Sequence, residues 1–448
     1  MKQTTLAKGD KKLLFAWAFY DWSNSVFNLV ITSAIFPIFY GVLFRTAGIE
    51  SIEVFEMNIA RGPLISYVTS LAFLVVALLT PLLSGIADYL GNKKIFLKIF
   101  AYLGALSCIA MYWFSIEHIY YSLACYFFGL IGFWISYAFS NSYLPDIAHE
   151  EQQDWISARG FSLGYIGSVL LLLFDLAMVM NPDWFGISGT VDNPAEIKAM
   201  RYSFVTVGVW WMLFSQYTFY YLPEGYKKQG ERKKLLLNGI KELKMVYGKL
   251  SENPRLKGFL KAFFVYGMAV QTIMLVAAFY GEEKIDWGSD QMRTTGLIIS
   301  MLVIQLIAIL GATFTAQASK KFGNIPVLIV INSIWICICI YAYFMETPTD
   351  FYIAAGCVGM VMGGIQSLSR STYSKFIPDT EDTASYFSFF DVSEKVGIII
   401  GTFVYGAVAQ FTGDIRYAIV ILGLFFMGGA FLLTKVNKKA VSIKSQGV

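Results

Sequence analysis

The chain has 448 residues, of which 56% are hydrophobic, 17% aromatic and only 15% charged, with a formal net charge of +4. Soluble domains carry about a quarter charged residues, so an ordinary soluble fold is excluded, and nothing in the composition suggests nucleic-acid binding. Cys108, Cys125, Cys337, Cys339 and Cys357 all lie in apolar runs, and the only histidines are His118 and His149; no metal cluster and no cofactor is expected.

The apolar residues come in runs of about twenty, the length that crosses a hydrocarbon core of about 30 Å. Twelve spans are predicted, at 15–43, 64–87, 95–115, 119–144, 158–181, 201–222, 257–281, 294–317, 325–345, 350–371, 385–411 and 414–434. The lysines before Phe15 resemble the start of a signal peptide, but the apolar run behind them is too long and has no small-residue cleavage site. It reads as a retained first span. Prolines 63, 145, 182, 223, 254, 326, 348 and 378 fall at or near predicted ends, whereas Pro37 and Pro81 are candidate kinks. Most Lys and Arg residues fall on the side that holds both termini, which predicts cytoplasmic termini in a cell (inner) membrane. A monomer is expected.

Span one carries Asp21, Asn24, Asn28 and Thr32, which fall within about 80° of one another at 100° per residue. An ionisable residue inside a span marks a pathway or proton site by default; capping or interhelix bonding is the competing reading of Asp21. The loop after span two, Gly85 to Lys94, fits G-x-x-D-x-x-G-x-[RK]-[RK]. Gly85 and Gly91 permit tight approach, Lys93 and Lys94 hold the loop cytoplasmic, and Asp88 can accept hydrogen bonds from a neighbouring helix N-terminus. In span five Asp175 stands alone, and Gly160, Gly164 and Gly167 form a packing face, as Gly359 and Gly363 do in span ten.

The segment 223–256 divides the chain into halves, 1–222 and 257–448. Within it Leu236, Ile240, Leu243, Tyr247 and Leu250 recur at helical spacing among lysines. This is an amphipathic helix suited to an anionic membrane surface, or a solvated basic linker. In the second half, Gln366 and Arg370 share a face of span ten, and Asp391, Glu394 and Lys395 share the start of span eleven. Asp391 to Lys395 is an i, i+4 ion pair. Arg370 either forks onto a solute carboxylate or anchors the end of its span.

Two echoes link the halves. Gly91-Asn92 recurs as Gly323-Asn324 (323 − 91 = 232), and Pro145-Asp146 recurs as Pro378-Asp379 (378 − 145 = 233). They imply a parallel six-plus-six repeat with solute bound between the halves. Lys320 stands where Asp88 would align, so a mirrored latch on span five is expected to be weak or absent.

The loop motif resembles the signature of the major facilitator superfamily. The blocks Ala16 to Ser25, Tyr143 to Ala148, Gly363 to Ser371 and Phe389 to Lys395 look like those of the autophagy-linked vacuolar amino-acid effluxer family and its bacterial relatives. The resemblance departs in span seven, where the family's Asn-Asp pair before Gly is replaced by Tyr266 to Thr272, leaving Gln271 as the polar candidate. What it implies is an all-α integral membrane protein, a twelve-helix major-facilitator bundle of two six-helix pseudo-repeats. Such a protein is a secondary transporter working by alternating access, not an enzyme. Amino-acid efflux is the leading activity, and sugars, organic acids or drug-like compounds are the alternative; a receptor or scramblase is the rival class. The implied partners are a small polar solute, protons as coupling ion, and the lipid bilayer. The candidate solute and coupling residues are Asp21, Asn24, Asn28, Gln271, Gln366, Arg370, Asp391 and Lys395.

Overall fold

The structure, a computed structural model, describes residues 6–54, 56–190, 194–225 and 235–445. Among the described residues, twelve long helices form the bundle. In the first half they are α1 (Lys11–Thr46), α2 (Arg61–Leu90), α3 (Lys93–Ala110), α4 (Ile119–Asn141), α5 (Glu150–Met180) and α6 (Ala195–Tyr221). A linker helix, α7 (Leu235–Glu252), leads to the second half. That half holds α8 (Pro254–Lys284), α9 (Asp290–Phe322), α10 (Asn324–Tyr343), α11 (Pro348–Phe376), α12 (Thr383–Thr412) and α13 (Ile415–Ser445). Eleven are long and apolar enough to cross a membrane by length and composition. The twelfth, α6, packs against α1 and α3 and pairs its half-buried polar residues with neighbouring helices: Thr206 donates to Asp175 at 2.7 Å, and Arg201 to the Tyr112 carbonyl at 2.8 Å. Asp175 is therefore a bond acceptor between neighbouring spans.

Most helices overrun the predicted spans, because capped ends project past the apolar run. Asp10 caps α1 through the amides of Lys12 and Leu13, and Asn253 caps α8 through those of Arg255 and Leu256. The Gly91-Asn92 pair is a junction of two caps. Gly91 ends α2 in the left-handed region, φ 65°, and the Asn92 side chain accepts from Ile95 at 3.3 Å to start α3. Two short strands, β1 (Ser51–Val54) and β2 (Met57–Ala60), form an unforeseen antiparallel hairpin between α1 and α2.

One irregularity alters the reading of span one. From Phe27 to Ala34 the helix widens to π geometry. Pro37 has no N–H to give the Ser33 carbonyl, and the hydroxyls of Thr32 and Ser33 both bond the Asn28 carbonyl. The wider turn shifts the helical phase. Asp21 and Asn24 are buried, while Asn28, inside the widened turn, is exposed.

Two apolar cores result, one from α1–α6 and one from α8–α13. The halves meet along α2–α12 and α4–α12 on one side, and α5–α9 and α5–α11 on the other. The glycines of span five let α5 close on α1 of the same half: a Cβ at Gly160 would lie 2.5 Å from an Asp21 oxygen, one at Gly164 2.5 Å from Ser25 Oγ and one at Gly167 2.9 Å from the Trp22 carbonyl, and only Gly160 also meets the other half, 3.0 Å from an Arg370 nitrogen. The linker helix lies on the end of α2, where Gly85 and Gly239 bring their backbones together; a Cβ on Gly239 would meet Ile86 at 2.7 Å. Of the apolar face expected there, Leu250 is buried and Leu243 half-buried, but Ile240 and Tyr247 are exposed; the Leu236 side chain lies outside the described residues. Val246 and Gly239 take their places on the buried stripe.

Candidate functional site

The end of the bundle that carries the Gly85–Lys94 loop is its basic face. Between that face and the middle of the bundle, Arg370 of α11 reaches across into the first half. Its Nε donates to Ser157 Oγ at 3.0 Å, Nη1 to Asp21 at 3.1 Å and to Asn141 at 2.9 Å, and Nη2 to Asp21 at 3.1 Å and the Ser157 carbonyl at 2.9 Å. All five N–H donors are used. The guanidinium also lies over the rings of Trp17, 4.8 Å, and Phe161, 4.3 Å. Only 2% of the residue is exposed. Arg370 is therefore neither an end anchor nor a free fork: a solute carboxylate could reach it only by displacing Asp21.

A second cluster sits on α12. Lys395 is fully buried, with Nζ 3.1 Å from Asp391 Oδ1, 2.8 Å from Glu394 Oε2, and 3.5 Å from the centre of the Trp134 ring of α4. Gln271 of α8 donates to Glu394 Oε1. The expected i, i+4 pair is present, but Glu394 shares its ammonium. Between the clusters, Tyr165 of α5 donates to Gln366 of α11 at 2.9 Å, another cross-half bond. Asn24 is buried with its amide nitrogen unpartnered. The structure thus gathers Asp21 with Arg370, and Gln271 with Asp391 and Lys395. Asn28 lies apart, beside the apolar pocket lined by Leu29, Ser33, Met274, Ser300, Met301 and Gln305.

At the basic face the halves are tied again. Asp88 Oδ2 accepts from the Ser385 amide at 2.7 Å and Oδ1 from the Ala384 amide at 3.3 Å, both at the first turn of α12. Lys93 pairs with Asp146 and donates to Thr383 at 2.7 Å and the Ser142 carbonyl at 2.8 Å. Lys94 is buried and caps α6 through the Leu222 carbonyl at 2.6 Å.

The mirrored seam overturns the expectation of a missing latch. Asp154 at the start of α5 accepts from Lys375 at 2.6 Å, Asn324 at 2.8 Å and Ser319 at 3.1 Å. The contact exists with the acid on the other side of the seam: donors come from the α9–α10 loop region and the end of α11.

Residue type alone gives no sign of a site role for Asn141, Ser157, Trp17 and Trp134. A Ser or Trp in an apolar span carries no signal of its own. Asn141, one turn before Pro145-Asp146, is the one whose polarity at a span end was visible.

Comparisons place this architecture among known proteins. The family described as vacuole effluxer Atg22 like matches residues 9–442. The uncharacterized MFS-type transporter YxiO of Bacillus subtilis is 30% identical over 432 residues, covering 96% of this chain and 96% of that protein. Autophagy-related protein 22 of Eremothecium gossypii is 21% identical over 97% of this chain and 92% of its own length. Among solved structures, the major facilitator superfamily transporter FucP in the outward conformation superposes with a TM-score of 0.70 at 14% identity, covering 95% of this chain and 98% of that one. The proton:xylose symporter XylE gives 0.67 at 13% identity over 95% of each chain.

Proposed function

Because the chain belongs to the Atg22-like vacuole effluxer family of the major facilitator superfamily, we propose that it exports a small polar solute, with amino acids the leading class, by alternating access. That it is an integral multi-pass transporter of this superfamily, and not an enzyme, follows from the family itself. The observation that carries the finer reading is the Arg370 cluster. One half supplies a fully buried guanidinium, the other supplies all its acceptors, and neither half satisfies its own groups alone. Such an interface is either intact or fully parted, and parting it exposes the middle of the bundle to the basic face.

In the described arrangement the basic face is closed by the Arg370, Asp88 and Asp154 contacts, and the pocket beside Asn28 and Ser33 lies toward the opposite face. This is the outward-facing member of an alternating pair. Both termini and the linker are cytoplasmic, the membrane is the cell membrane, and the chain works as a monomer. The charged groups suit an amphoteric solute, whose ammonium and carboxylate each need a partner of opposite sign in a dry site. Glu394, Asp391 and Gln271 face the ammonium, with protons as coupling ion. The carboxylate is met by Lys395 or, once Asp21 is displaced, by Arg370.

The test is metabolite accumulation in cells lacking the protein, paired with counterflow of labelled L-amino acids in proteoliposomes. Accumulated amino acids and counterflow of at least one of them are expected. Counterflow of a sugar or organic acid, with none for any amino acid, overturns the solute class.

A further inference from the structure

We propose that the groove between α8, α12 and α13 at the basic face binds one anionic phospholipid, its phosphate held by Lys257 and Lys261 and an acyl chain laid along the apolar floor. The site shares no residue with the solute clusters, and the proposal goes beyond the transport reading: it stands whichever solute the protein carries.

In the opening turns of α8, Lys257 and Lys261 stand one turn apart and are both exposed. Leu260, Phe264 and Val265 line the groove beside them and are half-buried, as is Leu432, which α13 contributes. The α12 wall is Ser393. Its hydroxyl turns back to donate to the Phe389 carbonyl at 2.7 Å, so the side chain is short, already satisfied, and leaves the space open. Among the described residues no acid lines this groove. Glu394, next to Ser393, gives its carboxylate to Lys395 and Gln271 instead. Among the described residues, Lys257 and Lys261 also have no ion-pair or hydrogen-bond partner. Two uncompensated positive charges therefore stand beside a half-covered apolar surface.

Helix length sets the depth of the groove in the membrane. The 31 residues of α8 span about 46 Å against about 30 Å of hydrocarbon, so each end projects about 8 Å. Lys257 stands about 5 Å from the helix start and Lys261 about 10 Å, on either side of the boundary between headgroups and hydrocarbon. Phe264 and Val265, at about 15 Å, lie within the hydrocarbon. Lysines at such a boundary extend their stems along apolar surface and keep the ammonium among the headgroups. A basic pocket between spans, continued by an apolar channel, fits a phosphate followed by a chain. Free phosphate would leave the floor bare, and a neutral apolar molecule would leave both charges unanswered. On α13 the same pairing continues, with Phe431 exposed next to Leu432 and Lys435 over its ring at 4.4 Å. One turn nearer the basic face, Tyr247 of the linker lies against Phe389, ring centres 5.8 Å apart, so the linker helix borders the site.

The test is native mass spectrometry of the purified full chain in detergent, titrated with dioleoyl phosphatidylglycerol and, separately, with dioleoyl phosphatidylcholine. Two lysines at a lipid surface together change affinity about thirtyfold, so the first phosphatidylglycerol should bind about thirtyfold tighter than the first phosphatidylcholine. Lys257→Gln combined with Lys261→Gln should erase that preference, and the Lys→Arg pair should keep it. Ser393→Leu leaves the lysines in place and fills the groove; the bond it removes lies within its own helix, so the unfolding temperature should hold while phosphatidylglycerol binds roughly tenfold weaker. Lys320→Gln combined with Lys321→Gln, an exposed pair in the last turn of α9 on the same face, should stay within about twofold of the parent. A preference that survives loss of Lys257 and Lys261 overturns the site. An equal loss in the Lys320 and Lys321 variant reduces it to diffuse charge attraction and overturns it as well. Binding unchanged by Ser393→Leu, or competed away by glycerol phosphate at equal concentration, shows a phosphate site with no place for the chain, and the lipid assignment fails.

Discussion

Arg370→Lys is the substitution that separates a buried gate from a simple salt bridge. Arginine places five N–H donors on Asp21, Asn141 and both acceptor atoms of Ser157. Lysine keeps the charge but has three donors on one atom, so at least two of the five bonds are lost. At about 1.5–3 kcal/mol for each bond to a charged group, the closed seam loses about 3 kcal/mol or more. The stacking on Trp17 and Phe161 weakens as well. When the seam is parted, water serves these groups in either variant, so the loss falls on the closed state. A loss of about 3 kcal/mol is about a hundredfold in the closed-to-open ratio. Thiol labelling at Ser385→Cys from the basic face should therefore rise steeply in Arg370→Lys, and reactivity at Ser33→Cys on the opposite face should fall. Asp21→Asn should act in the same direction, and the double variant should cost less than the sum, because the two share one interaction. Labelling within twofold of the parent, with normal expression and unfolding temperature, would refute the assignment of this cluster as the gate.

Asp88→Asn removes the charge from the bonds to the Ala384 and Ser385 amides and should open the seam by about 1–2 kcal/mol, read as roughly tenfold faster labelling on the basic face. Asp154→Asn should loosen the opposite seam by a similar amount, since three donors (Ser319, Asn324 and Lys375) converge on that carboxylate. Gly239→Val should lift the linker helix from α2, because its Cβ would strike Ile86; lower yield of a disulfide engineered between positions 247 and 389 would show this. For topology, cysteines at the N-terminus, within 227–234 and after Lys438 should be shielded from impermeant reagents in intact cells, and those at Glu53 and Ser289 should react; labelling of 227–234 from outside would invert the map.

Helix number, the two halves and the loop motif were legible because each has a local signal. Apolar runs of the right length, caps such as Gly91-Asn92 and basic loops can all be read along one segment. The ion-pair candidates were also visible, since a charge inside a span needs explaining wherever it lies. Partners were not. Asp21 and Arg370 are 349 positions apart, and nothing in either segment names the other. The exposure of Asn28 was hidden for a different reason. The helical wheel assumes a constant 100° step, and the π segment set up by Thr32, Ser33 and Pro37 breaks that step.

The failed expectation about the second latch shows what a repeat preserves. The same residue type at the same offset puts Lys320 in place of Asp88 and predicts no second contact. The seams instead keep complementarity between the halves. At the closed end Asp21, Asp88 and Asp154 all belong to the first half. Their donors all belong to the second: Arg370, the α12 amides, Asn324, Ser319 and Lys375. These three carboxylates of the first half thus all take their donors from the second, while Lys93 and Tyr165 of the first half donate the other way, to Thr383 and Gln366. Deeper in the bundle the acids Asp391 and Glu394 stand in the second half around Lys395, whose ammonium lies over the uncharged Trp134 ring of the first. That is where the first half offers no countercharge. A positive charge that comes and goes, carried by a proton or by the ammonium of a solute, has its electrostatic place there.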